Sequence, residues 1–99
     1  MNTARWTILF EVTVKEGLEE EFAELAKEMM RSTHAQDDGC AAFVWHRQVD
    51  DPRKFTLYEQ WRDEPAVNAH LARLIGEIGR ERFFGYFEKT SAQRLEPIE

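Results

Sequence analysis

The sequence predicts an α+β fold in which two helices cover one face of a four-stranded antiparallel sheet. Three observations support this: two long segments with apolar residues at helical spacing, four segments of strand character, and their order along the chain, β-α-β-β-α-β. This order is that of the ferredoxin-like, or split β-α-β, plan. With 99 residues, the chain is predicted to be one domain, 1–99.

The first strand and the first helix occupy the N-terminal third. From Trp6 to Val14, apolar residues alternate with mostly polar ones, which is the period of a half-buried strand. After a turn at Gly17, apolar residues recur at helical spacing until Asp37-Asp38-Gly39, which is typical of a helix end. The helix stripe that we expect to face the core comprises Leu18, Phe22, Leu25, Met29 and Thr33.

A hairpin is predicted next, with strands at Cys40–Val49 and Phe55–Trp61 joined by a turn at Asp50-Asp51-Pro52. Pairing Val49 with Phe55 gives one nearly continuous apolar face and places His46 directly opposite Tyr58 on a second, mixed face. The apolar face in this register comprises Phe43, Trp45, Val49, Phe55, Leu57 and Trp61.

The second helix is predicted to begin at Asp63, with Pro65 in its first turn. His70 lies about 60° from the centre of its apolar stripe, so we expect it to reach the covered space without being fully buried. Arg80 to Phe87 predicts a short irregular helix or lid, and Glu88 to Pro97, which is poor in apolar residues, predicts a strand at the sheet edge. The stripe comprises Val67, Leu71, Leu74 and Ile78.

Composition excludes several classes of function. With 13 basic and 19 acidic residues and a net charge of −6, we expect neither a nucleic-acid nor an anionic-membrane partner. No apolar run approaches the roughly 20 residues of a membrane helix, and Cys40 is the only cysteine, so a cytoplasmic location is expected. Histidines 34, 46 and 70 lack the compact spacing of metal ligands, so no metal is expected.

Three segments, GLEEEFAELA, DDGC and DDPRKFTLYEQWRDEPAVNAH, together resemble the antibiotic biosynthesis monooxygenase family of dimeric α+β barrel proteins. The most specific feature is Tyr-Glu-x-Trp followed nine residues after the Trp by His70, and the match extends from about Val12 to His70. The resemblance implies a homodimer, a dimeric α/β barrel, with a small cavity in each subunit between sheet and helices. It implies activities that include cofactor-independent oxidation of quinols and anthrones, haem degradation and isomerisation of small signalling molecules.

Residue by residue, the resemblance assigns His70 and Trp61 to positions that line or border the cavity, and Tyr58 and Glu59 to the strand motif, with a structural role for Glu59. Two departures stand out. Ile75 occupies a position where relatives often carry a second histidine. The first strand also lacks the Asn that haem-degrading members use there, so no haem is expected.

The leading hypothesis is a cofactor-independent monooxygenase in which His70 removes a proton from a quinol or anthrone. The resulting anion can pass an electron directly to O2, so no cofactor is expected. Tyr58 and His46 are predicted to orient the substrate, and the walls for a small aromatic molecule are predicted to be Trp61, Phe22, Phe83 and Phe84. Two alternatives remain, a ligand-binding dimer without turnover and an isomerase of a small hydroxy-ketone. A homodimer is also favoured because the uncovered sheet face carries large side chains.

Overall fold

A computed structural model describes residues 6–98 of the chain. The strands form one antiparallel sheet in the order β2-β3-β1-β4. The predicted ferredoxin-like α+β fold is confirmed, including an edge position for the last strand and a short helix at the predicted irregular segment. The elements are β1 (Trp6–Val14), α1 (Glu19–Gln36), β2 (Cys40–Arg47), β3 (Lys54–Trp61), α2 (Glu64–Ile78), α3 (Arg80–Gly85) and β4 (Phe87–Leu95).

The core lies between the helices and one face of the sheet. Phe22 of α1 is fully buried there, and its ring lies 5.0 to 5.6 Å, centroid to centroid, from four other aromatic rings. All four pairs have the edge-to-face arrangement that aromatic quadrupoles favour. These neighbours are Trp45, Phe55, Tyr86 and Phe87. Phe22 is thus a packing residue at the centre of the core.

The register of the β2–β3 hairpin differs by two residues from the prediction. His46 pairs with Thr56, and Val44 pairs with Tyr58, so His46 and Tyr58 are diagonal neighbours and not directly opposed. The reason is the turn, which is centred on Asp51: its carbonyl accepts the backbone N–H of Lys54 at 3.0 Å, and its carboxylate accepts that of Arg53 at 3.1 Å. Hydrogen bonds of this Asx type fix the position of the turn, and the lengths of the two strands do not predict that position.

A shift of two residues leaves every side chain on its predicted face, because side chains alternate with a period of two. Phe43 and Trp45 therefore still face the helices and are buried. The prediction for Val49 is wrong: β2 ends at Arg47, and Val49 is 99% exposed in the turn.

Helix α2 begins as predicted, since the Asp63 carboxylate accepts the backbone N–H of Ala66 at 3.0 Å. The prediction that His70 would be only partly buried is wrong, because it is 2% exposed. The buried stripe runs through Ala66, His70 and Leu74, while Leu71 is 49% exposed. On this buried side of α2, the small Ala66 side chain lies close to the backbone of Gly39.

Gly39 joins α1 to β2 at a point of very close approach. It has φ +87°, and a Cβ there would lie 2.9 Å from the Cβ of Ala66. We expect Gly39→Ala to lower the free energy of unfolding by about 2 to 4 kcal/mol, the sum of a left-handed backbone penalty and overpacking. Urea denaturation would measure this. Gly17→Ala is the matched control, with φ +92° and no atom within 4 Å; equal losses in both variants would contradict the packing argument.

The second face of the sheet carries a mixed surface, as predicted. Val44, Tyr58 and Leu95 are exposed on it by 39, 36 and 37%, among polar side chains such as that of Thr56. Among the helices of residues 6–98, none is both long and apolar enough to cross a membrane.

Candidate functional site

A cavity of about 340 Å3 lies between the sheet and helices α2 and α3. Its size and apolar character are those of a site for a small molecule. Three lining side chains ionise: Glu59 of β3, His70 of α2 and Arg80 of α3. The apolar walls include Ile8, Phe10, Phe43, Leu57, Val67, Leu74, Ile75, Phe83 and Phe84.

The imidazole of His70 is hydrogen-bonded to a carboxylate. Its Nδ1 lies 2.6 Å from Oδ2 of Asp37, a residue 33 positions earlier that directly follows α1. Asp37 is fixed in turn by its backbone N–H, which donates to the carbonyl of Thr33 at 3.0 Å, and by Arg73, whose Nε and Nη2 donate to its two carboxylate oxygens at 2.7 and 2.9 Å. Nε2 of His70 forms no hydrogen bond with any of residues 6–98.

The charges of this pair follow from burial and hydrogen bonding. Burial opposes ionisation of Asp37, but hydrogen bonds from Arg73 and His70 outweigh it and lower the pKa of this carboxyl below its ordinary value. Burial lowers the pKa of His70, and the nearby Asp37 only partly offsets this effect. At pH 7, His70 is therefore a neutral imidazole that donates its Nδ1 proton to Asp37. Its Nε2 lone pair remains available as a base.

Glu59 provides a second titratable group on the same wall. It is 7% exposed, and its Oε1 accepts a hydrogen bond from Nε1 of Trp61 at 2.8 Å. Burial raises the pKa of Glu59 to about 7, since the bond from Trp61 only partly counteracts the loss of hydration. Near neutral pH, this carboxyl can therefore either donate or accept a proton.

Trp61 contacts both His70 and Glu59 from outside the cavity. It is fully buried, its ring centroid lies 4.4 Å from that of His70, and its indole N–H binds Glu59. Phe43 contacts the imidazole as well, at 4.9 Å between centroids. Trp61 thus borders the cavity without lining it, and it restricts where the imidazole and the carboxyl can lie.

The remaining predicted site residues fall into three places. Phe83 and Phe84 line the cavity, and Phe84 is 43% exposed at its mouth. Phe22 does not line it and lies in the core. His46 and Tyr58 lie on the opposite face of the sheet, so within one chain they are not brought together with His70.

Asp37 and Arg73 are site residues that the sequence did not predict, and Glu59 was assigned only a structural role. One signal was present for Arg73, which follows His70 by three positions and so shares its helix face. Glu59 is an inward-facing carboxylate in an otherwise apolar strand pattern, which also marks it as unusual. For Asp37 the local pattern indicated only a helix end.

Within residues 6–98, no three His, Cys, Asp or Glu side chains are grouped to hold a metal ion. Burial, with smaller contributions from Asp37 and Glu59, raises the pKa of the Cys40 thiol, which therefore stays protonated and weakly nucleophilic. The carboxylate–histidine pair and Glu59 are the candidate proton-transfer groups of the site.

A ferredoxin-like domain with a largely apolar cavity beneath its helices, and a carboxylate-bound histidine in the cavity wall, defines the structural class of this protein. The sequence matches the family model described as "Antibiotic biosynthesis monooxygenase" over residues 6–74. The chain therefore belongs to the antibiotic biosynthesis monooxygenase family. A search of curated proteins gives no match.

Solved structures support the same fold at low sequence identity. A Pseudomonas aeruginosa protein aligns with a TM-score of 0.82 at 22% identity, covering 100% of this chain and 98% of its own. A Shewanella oneidensis protein aligns at 0.84 and 20% identity, covering 97% and 93%. A Bacteroides thetaiotaomicron protein, provisionally described as an antibiotic biosynthesis monooxygenase, aligns at 0.87 and 17% identity, covering 96% and 90%. At these identities, the similarity establishes the fold alone.

Proposed function

We propose that this protein is a cofactor-independent monooxygenase that oxidises a small aromatic quinol or anthrone with O2. The observation that carries the proposal is the contact between Nδ1 of His70 and the carboxylate of Asp37 in the wall of an apolar cavity of about 340 Å3. Such a cavity suits a flat aromatic ring, and the imidazole suits removal of a proton from it.

The proposed reaction begins with proton transfer from the substrate to Nε2 of His70. The imidazolium that forms is stabilised by Asp37, 2.6 Å from Nδ1. The electron-rich substrate anion then transfers an electron to O2, and the two radicals combine into a peroxide anion. For an anthrone, the His70 proton returns to the peroxide, a second hydrogen leaves the same carbon, and the O–O bond breaks. One methylene group and one O2 thus give one carbonyl group and one water, and the substrate supplies all the electrons that reduce O2.

Oxygen uptake tests the proposal. Purified protein treated with a chelator is mixed with anthrone or naphthalene-1,4-diol in air-saturated buffer, and O2 consumption and product formation are recorded. We expect both rates to exceed the spontaneous oxidation and to be unaffected by the chelator. Substrate that binds and is recovered unchanged would instead favour a ligand-binding protein without turnover, the role that Ile75 at the second histidine position also suggests.

A second candidate, an isomerase of a small hydroxy-ketone, is favoured by the presence of two proton-transfer groups on one wall. His70 can remove a proton next to a carbonyl while the Glu59 carboxyl, with its pKa near 7, donates one to the carbonyl oxygen. This reaction needs no O2. Product formation under anaerobic conditions therefore distinguishes it from the oxygenase.

We also propose that two chains associate through the uncovered sheet faces. Val44 and Tyr58 are directly paired there and are both partly exposed, and a stable interface over this face would bury more than about 1,000 Å2. The aromatic face lies beneath the helices, so substitutions on it would test the core and not the interface.

Val44→Glu is expected to convert a dimer into a folded monomer, because each chain would bury an unpaired carboxylate in the interface. Sedimentation velocity measures the change. Val49→Glu is the matched control, since Val49 is 99% exposed in a turn, and it should leave the dimer intact. A monomeric unmodified protein would contradict this arrangement.

A further inference from the structure

The cavity has a buried end, where the two candidate proton-transfer groups lie, and an exposed end, where a cationic side chain lies. Glu59 and His70 are 7% and 2% exposed, whereas Phe84 is 43% exposed and Arg80 is an exposed residue. From His70 to the end of α2 at Ile78, the helix advances about 12 Å, and Arg80 follows two residues later. A ligand that touches both ends therefore carries two polar groups at separate positions.

The arginines of residues 6–98 divide equally into those with and those without a carboxylate partner. Arg47, Arg53 and Arg73 each form an ion pair with a carboxylate, at 3.0, 2.5 and 2.7 Å respectively. Within residues 6–98, Arg80 has no such partner, and its guanidinium lies instead over the ring of Phe84, 5.8 Å from the centroid. A cation held against an aromatic wall at the mouth of an apolar cavity keeps its hydrogen-bond donors available for an anion.

Chain folding helps to place Arg80 at this mouth. Gly79, with φ +96°, ends α2 and starts α3 in a new direction, and the backbone N–H of Phe83 donates to the carbonyl of Gly79 at 3.0 Å. The turn of α3 that follows brings Arg80, Phe83 and Phe84 to the cavity together. The cationic side chain and the two aromatic rings therefore come from the same short helix.

We infer that the ligand of this cavity is an aromatic hydroxy-acid, whose hydroxyl lies at Glu59 and His70 and whose carboxylate binds Arg80 at the mouth. The inference rests on the proposed function and narrows it to substrates that carry an anionic group at the end opposite the reacting oxygen. A guanidinium binds a carboxylate through two parallel hydrogen bonds, which fixes the orientation of the ring as well as adding affinity.

The test compares two probes of nearly the same shape, the anionic 6-hydroxy-2-naphthoate and the neutral 6-hydroxy-2-naphthamide, by isothermal titration calorimetry at pH 7.5. Both have the hydroxyl and the second group at opposite ends of a rigid bicyclic ring, and binding needs no turnover. We expect the full-length protein to bind the acid about tenfold more tightly than the amide, as for one charge-assisted interaction. Arg80→Gln should abolish this preference by weakening binding of the acid more than binding of the amide.

Arg82→Gln is the control, because Arg82 lies on the same helix but does not line the cavity. It removes the same net charge and should keep the tenfold preference. Equal binding of both probes to the unmodified protein, or equal loss of preference in both variants, would overturn the inference while leaving the proposed oxygenase standing. Failure of both probes to bind would overturn the inference and the proposed aromatic site together.

Discussion

His70→Asn should reduce kcat for oxygen uptake by about 10²- to 10⁴-fold, the usual contribution of a positioned general base. Asparagine retains an N–H donor near the place of Nδ1, so Asp37 can keep a partner, but it has no lone pair that could accept a proton at the Nε2 position. The fold should therefore persist while proton transfer is lost. Initial rates of O2 consumption and of product formation are the measurements.

His34→Asn provides the control for this substitution, because His34 is exposed near the end of α1. It should leave the rate unchanged. Thermal unfolding by circular dichroism and binding of 6-hydroxy-2-naphthoate show whether the His70 variant is folded with an open cavity. A folded, ligand-binding His70→Asn protein with full activity would show that His70 is not the base.

Glu59→Gln is expected to raise the free energy of unfolding by about 3 kcal/mol at pH 8 and to change it little at pH 4. In the unfolded chain the carboxyl ionises near 4.5, whereas burial raises the pKa in the folded protein to about 7. The folded protein therefore holds the proton more tightly, and its stability falls as the pH rises from 4.5 to 7. The gap between the two values corresponds to about 3 kcal/mol, which a neutral glutamine avoids.

Urea denaturation of both proteins at pH 4 and pH 8 measures this effect. His70 and Asp37 titrate in both proteins, so their contributions cancel when the two free energies of unfolding are subtracted. The glutamine oxygen can still accept the hydrogen bond from Trp61, so packing of the indole should be retained. Glu28→Gln, on the exposed side of α1, is the control and should change stability little at either pH. A stability difference at pH 8 no larger than at pH 4 would show that Glu59 ionises as an ordinary surface carboxylate.

The parts of the fold that the sequence predicted correctly depend on short-range periodicity. The stripe of α1 and the alternation along β1 each repeat within a few residues, so burial of one face follows directly from the chain. The hairpin register failed because it depends on a turn whose centre is set by hydrogen bonds to Asp51, and residue pattern leaves two positions for that centre. Strand length alone could not choose between them.

Half of the candidate site could be predicted, for a similar reason. His70, Phe83 and Phe84 were identifiable by residue type, spacing and the family motif. Asp37 was not, because its contact with His70 joins residues 33 positions apart, and it exists only once α1 and α2 have packed together. The close approach of Ala66 to Gly39 likewise joins separate elements, so no single-helix pattern contains it.

The raised pKa of Glu59 also has a consequence for protein engineering. At this position the residue that makes the chain most stable at neutral pH differs from the residue that can exchange a proton inside the cavity. Sequence optimisation guided by folding energy alone would replace the carboxyl with a neutral side chain, because the free energy of unfolding would increase. Any stabilised version of this protein should therefore be designed with position 59 held fixed.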